Sequence, residues 1–167
     1  QKGAAKEMMT AAPGNIARHW IGGHWIRSEK HGTSYNPCTG EAIGMYSDGG
    51  LKEGQQAVKI ALSAFHESSW KKDHALRSKV LMAMADAIEA NCGPLVKMLC
   101  TEVGKISDEA GMEVMAAPSM LRYWAGKTFI AGRCGETGRD THSVVIREAI
   151  GVAGIIAPFN APVALSI

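Results

Sequence analysis

Three observations predict an α/β chain. Aromatic and β-branched residues flank the Gly22-Gly23 pair, a hairpin signature. From residue 51 to about residue 127, apolar residues recur at helical spacing. The last apolar run, residues 152–157 between Gly151 and Pro158, reads as a buried parallel strand. The expected order is β, then helices, then a hairpin, then the first strand of an α/β domain, with no internal repeat or low-complexity linker.

Taken in order, residues 1–18 read as a frayed segment, since residues 1–13 lack the apolar stretch and cleavage site of a secretory signal. His19-Trp20-Ile21 and His24-Trp25-Ile26 form two short strands around the glycine pair. Asn36-Pro37 and Thr39-Gly40 mark a turn, and residues 42–46 form another strand. After Asp48-Gly49-Gly50 the period changes. Ala57, Ala61, Ala64 and Phe65 share one face of a first helix, whose other face carries Glu53, Gln56 and Lys59.

A second helix spans about residues 74–90. Leu76, Val80, Ala83, Met84, Ala87 and Ile88 form its apolar stripe, and Asn91 and Gly93 lie near its end. Pro94 fits as the first residue of a third helix, because its missing N–H would be unpaired there, and Gly104 fits just beyond the end. Ser107 caps a fourth helix, with Asp108 and Glu109 complementing its positive end. That helix continues toward Lys127, with a break or kink expected near Ala117 because Pro118 removes a backbone hydrogen bond. A strand over residues 129–135, a turn over 135–138 and a strand over 143–150 complete the hairpin.

Composition narrows the function classes. With 46% hydrophobic and 20% charged residues, the 167-residue chain falls in the soluble, globular range. Its net charge of +2 does not gather into blocks, which argues against nucleic-acid binding. Residues 144–156 are the most apolar stretch, but Arg147 and Glu148 interrupt them and they are shorter than a membrane-spanning helix. Cys38, Cys92, Cys100 and Cys134 lack metal-ligand or disulfide-framework spacing and read as reduced thiols of a cytoplasmic protein. His19 and His24 have no third ligand at metal-binding spacing and read as surface or hairpin residues, so no metal is expected.

Familiar catalytic motifs are absent: there is no nucleophile elbow, zinc-protease motif or phosphate-binding glycine loop. The chemistry-bearing candidate is the segment after the last strand, Pro158-Phe159-Asn160-Ala161-Pro162. In open α/β sheets, ligands bind beyond the C-terminal ends of such strands. The two prolines stiffen the loop, so the Asn160 amide could be aimed at one point as an oxyanion donor. A structural turn after a strand explains the same residues, and both readings stay open on the residues alone.

From about Ile21 onward the chain resembles the aldehyde dehydrogenase superfamily, in six motifs that occur in the family's order. They are Ile21-Gly22-Gly23-His24-Trp25, Asn36-Pro37-Cys38-Thr39-Gly40-Glu41, Trp70 with Arg77, and Thr101-Glu102-Val103-Gly104-Lys105. Leu121-Arg122-Tyr123-Trp124-Ala125-Gly126 follows, and then Arg147-Glu148-Ala149-Ile150-Gly151-Val152 running into residues 158–162. The resemblance implies the N-terminal part of that fold. Residues 19–127 would be the hairpin and helical part of the cofactor-binding domain, 128–150 the extended β arm of the oligomerisation domain, and 151–167 the start of a doubly wound, Rossmann-like parallel sheet.

It also implies roles. Asn160 would donate to the oxygen of the thiohemiacetal formed when a Cys attacks an aldehyde. Ile156, Ala157, Pro158 and Phe159 would line the nicotinamide end of an NAD or NADP site, and the β arm would pair with another copy of the chain. Phe159 and Ala161 depart from the family's usual Trp and Phe around that Asn, and the smaller Ala161 would widen the site. The family's nucleophilic Cys, general-base Glu, ribose-binding Lys and later glycines have no counterpart in residues 1–167. The expectation is therefore an inactive N-terminal fragment of an NAD(P)-dependent aldehyde dehydrogenase. The alternative is a non-catalytic oligomerisation or assembly module of the same fold.

Overall fold

The structure, a computed structural model, describes residues 16–129 and 132–167. The described residues form a mixed α/β fold of small sheets and four helices. Strands β1 (Ile16–Ala17), β4 (Lys30–Tyr35) and β5 (Ala42–Asp48) form one sheet in the order β1-β5-β4. β1 runs parallel to β5, and β4 antiparallel to it. Between β1 and β4 lies the expected hairpin, β2 (His19–Ile21) against β3 (His24–Ile26), with Trp20 opposite Trp25. Its two turn residues have φ of 62° and 81°, which only glycine adopts without cost. His19 is a hairpin residue, one of the two expected readings, and its ring Nε2 lies 2.7 Å from Oγ of buried Ser28.

The helices are α1 (Leu51–Glu67), α2 (His74–Ala90), α3 (Cys92–Glu102) and α4 (Ser107–Lys127). The Glu53 carboxylate accepts from the Gly50 amide at 2.9 Å, closing the N-terminus of α1. Asp73 caps α2, its carboxylate accepting from the Leu76 amide at 2.8 Å. Two expected helix starts move. Pro94 is the third residue of α3 rather than the first, still inside the first turn where no N–H partner is lost. Ser107 is the first residue of α4 rather than its cap, a position taken by Ile106 without a side-chain bond.

No break occurs at Pro118, and α4 runs unbroken through it. The reason is tertiary. Ala110, Val114, Ala117, Pro118, Leu121 and Ala125 are all buried along one face of α4. The packing of that face against α2 and α3 outweighs one lost hydrogen bond. Leu99 of α3 joins Ala110 and Val114 in the core, with Ile88, Leu95, Val96 and Val163 packed around them. On α2 the inward face keeps only part of the expected stripe: Leu76, Val80 and Ile88 are half-buried and Ala85 is inaccessible, while Ala83 and Ala87 are exposed and Met84 is 45% exposed. Leu81 and Ala85, which lie on the inward side, are as apolar as the exposed Ala83, Met84 and Ala87, so the sequence pattern does not choose between the faces.

Strands β6 (Gly132–Gly138) and β7 (Thr141–Ile146) form an antiparallel ribbon. The turn falls at Arg139-Asp140 instead of residues 135–138, and Asp140 takes φ of 60°. Residues 130 and 131, part of the strand expected from Phe129, lie outside the described residues. The strand expected at residues 152–157 forms no ladder among the described residues, and Ile156 is 99% exposed there. A parallel strand exists only through hydrogen bonds to a neighbouring strand, and none lies beside this segment among the described residues.

Candidate functional site

The site is assembled at the C-terminal end of α3. The Val103 amide donates to the Leu99 carbonyl at 3.0 Å, and Gly104 then takes φ of 74°. This left-handed step ends the helix and turns the chain. A Cβ at Gly104 would stand 2.8 Å from Cγ of Pro37, so its glycine is required both by backbone angle and by contact. Pro37 belongs to a tight turn in which Asn36 Oδ1 accepts from the Cys38 amide at 2.8 Å and the Asn36 carbonyl accepts from Gly40 N at 2.8 Å. Two motifs far apart in sequence thus touch, and the chain leaves Gly104 with Lys105 directed toward α4.

There Lys105 meets Glu113, a residue on the buried face of α4 with a side chain only 4% exposed. Lys105 Nζ donates to Glu113 Oε2 at 2.6 Å and to the Asn160 main-chain carbonyl at 2.8 Å. The other carboxylate oxygen, Oε1, accepts from the amides of Val163 at 2.8 Å and Ala164 at 3.2 Å. Burial pushes the Glu113 carboxyl upward, but Lys105 and the two amides pull further the other way, and the group is held below the usual glutamate range. Glu113 also serves the start of the short 3-10 helix Ala164–Ser166, whose exposed amides need an acceptor.

Of the loop residues singled out from the sequence, Asn160 is the one tied to this place. Asn160 sits in the turn, its backbone carbonyl tied to Lys105 and its residue exposed. Ile156 and Pro158 are exposed, Ala157 is half-buried, and Phe159 is 83% exposed, so they present an apolar surface. Glu113 is the residue that sequence reading missed. Its signal was there, since a glutamate at residue 113 interrupts the apolar spacing of Ala110, Val114, Ala117 and Leu121 on the inward face of α4.

The other quoted motifs have structural work. Arg77 Nη1 donates to the carbonyls of Trp70, at 2.5 Å, and Lys71, at 3.0 Å, fixing the 3-10 turn Ser69–Lys71 to the first turn of α2. Arg122 of α4 pairs with Asp86 at 2.8 Å and Glu89 at 2.5 Å on α2. All four cysteines are free, Cys38 and Cys134 being the exposed ones. Among the described residues no helix is long and apolar enough to cross a membrane.

The profile of the aldehyde dehydrogenase family matches residues 25–167. Succinate-semialdehyde dehydrogenase [NADP(+)] 2 of Schizosaccharomyces pombe is 33% identical over 155 residues, covering 89% of this chain and 31% of that protein. The crystal structure of HpcC from Thermus thermophilus superposes with a TM-score of 0.86 at 28% identity, over 99% of this chain and 33% of that one. A double mutant of betaine aldehyde dehydrogenase from Staphylococcus aureus, solved in complex with NAD+, superposes with a TM-score of 0.82 at 26% identity, over 90% of this chain and 32% of its own. The chain spans about a third of the length of the curated relatives it matches.

Proposed function

The chain belongs to the aldehyde dehydrogenase family, and from that premise we propose that its protein oxidises an aldehyde to a carboxylic acid with NAD or NADP. Asn160 is the residue of this chain assigned to the chemistry. Its amide would donate to the oxygen of a Cys-bound thiohemiacetal, stabilising charge as the aldehyde carbon becomes tetrahedral. The observation that carries this reading is the fixation of the loop at the Asn160 carbonyl by a partly buried ion pair. A donor on a rigid loop loses little entropy when the oxygen arrives.

The bound dinucleotide would supply a hydride acceptor. The residues present fit one end of it: Ile156 and Phe159 offer uncovered apolar surface beside Ala157 and Pro158, which suits the flat face of a nicotinamide ring. Residues 1–167 carry Asn160 but no Cys or Glu in the family's nucleophile and base motifs, so these residues by themselves are expected to give no turnover. The test gives the full-length purified protein NAD or NADP and a panel of aldehydes. Reduced cofactor should form, and Asn160→Ala should lower kcat about a hundredfold. No reduced cofactor with any aldehyde would sink the proposal.

Association between copies through the β6–β7 ribbon is part of the same reading. It is supported by the exposure of Val144, Val145 and Ile146 at 64%, 58% and 71% on one edge strand. The four free thiols support a reducing compartment such as the cytoplasm.

A further inference from the structure

Charged groups are rarely placed where water cannot reach them, and Glu113 is such a group. Both its carboxylate oxygens are used: one holds the Lys105 ammonium and the other holds two consecutive amides, Val163 and Ala164. Lys105 donates a second N–H to the Asn160 carbonyl. Three main-chain atoms of one short loop are therefore tied to a single ion pair on the core side. The Val163 side chain packs against the core cluster of Leu99, Ala110 and Val114 next to it. At the tip of this loop the side chains of Phe159 and Asn160 stay outward.

An ion pair used only for stability could sit anywhere on the α3–α4 interface, and an apolar pair of similar volume would serve as well. This one reaches the backbone of the residue whose side chain the function requires. We propose that Lys105 and Glu113 are positioning residues for Asn160, setting the direction of its amide through the backbone without touching substrate or cofactor. The proposal rests on the reading of Asn160 as the oxyanion donor.

The test uses the full-length protein as wild type, Asn160→Ala, Lys105→Met and the double variant, with Lys105→Arg as the conservative replacement. Lys105→Met is expected to lower kcat about tenfold or more, since a small misplacement of a donor costs that much, while KM for the dinucleotide stays within about threefold. Lys105→Arg, which keeps two donors, should recover most of the rate. In the Asn160→Ala background the Lys105→Met change should cost less than about twofold, because the side chain being positioned is gone. Should Lys105→Met fail to fold, Glu113→Gln, which keeps the shape, takes its place in the same cycle.

A loss as large without Asn160 as with it overturns the proposal and leaves the oxyanion reading standing. An Asn160→Ala variant as fast as wild type removes the oxyanion reading, and the positioning role with it. Hydrogen exchange separates the tie from general loosening. Glu113→Gln should speed exchange at the Val163 and Ala164 amides while the inner amides of α4 keep their protection, and unchanged exchange at both loop amides also overturns the proposal.

Discussion

At the scale of single residues, Glu113 carries the most consequence. It is a buried carboxylate whose partners are Lys105 and two amides, so removing its charge leaves the ammonium without its counter-charge and a single carbonyl oxygen to accept from three donors. Glu113→Gln is expected to destabilise the fold by about 3 kcal/mol in urea unfolding at neutral pH. The pH dependence follows from its direction of shift. Because the folded carboxyl is held below its ordinary range, its contribution is present above the unfolded pKa and is lost as pH falls through the lower, folded value. Unfolding curves of wild type and Glu113→Gln should therefore converge in acid and separate toward neutral pH. A difference that does not change with pH would contradict this account.

At the scale of elements, the end of α3 shows how a backbone angle places a side chain. Gly104 sits at φ of 74° with Pro37 2.8 Å from the place a Cβ would occupy. Gly104→Ala is expected to cost about 1–2 kcal/mol from the left-handed conformation alone, and more if the 36–40 turn cannot yield. Thermal unfolding measures it, and a neutral result would mean that the turn does not pack there. This helix end was legible in the sequence as Gly after a periodic run. The unbroken α4 was not, because the strength of the contacts that carry it past Pro118 depends on residues of α2 and α3 that lie elsewhere in the chain.

At the scale of the whole molecule, the uneven cover of apolar surface stands out. The core is concentrated between α2, α3 and α4, while Ile150, Ile155, Ile156 and Phe159 are 101%, 63%, 99% and 83% exposed. Residues 1–167 prepared by themselves are expected to self-associate through this surface. Sedimentation velocity should find oligomers at micromolar concentration, and Ile156→Ser should shift them toward monomer. A monodisperse monomer that the substitution does not affect would show that this stretch folds back on the chain in solution.

The sequence by itself determined the succession of the Gly-Gly hairpin, the four helices and the β6–β7 ribbon, the limits of α2, the family and the position of the loop that carries Asn160. Each of these depends on signals within a few residues: a period, a cap, a glycine angle, a run of motif residues. Tertiary structure alone decided which face of α2 turns inward, whether Pro118 interrupts its helix, and that Lys105 and Glu113 meet the Asn160 loop. Lys105 and Asn160 are 55 residues apart in the chain. Nothing local to either residue encodes that distance, because it is closed by the packing of α3 on α4 and by the hydrogen bonds of one buried carboxylate to Lys105, Val163 and Ala164.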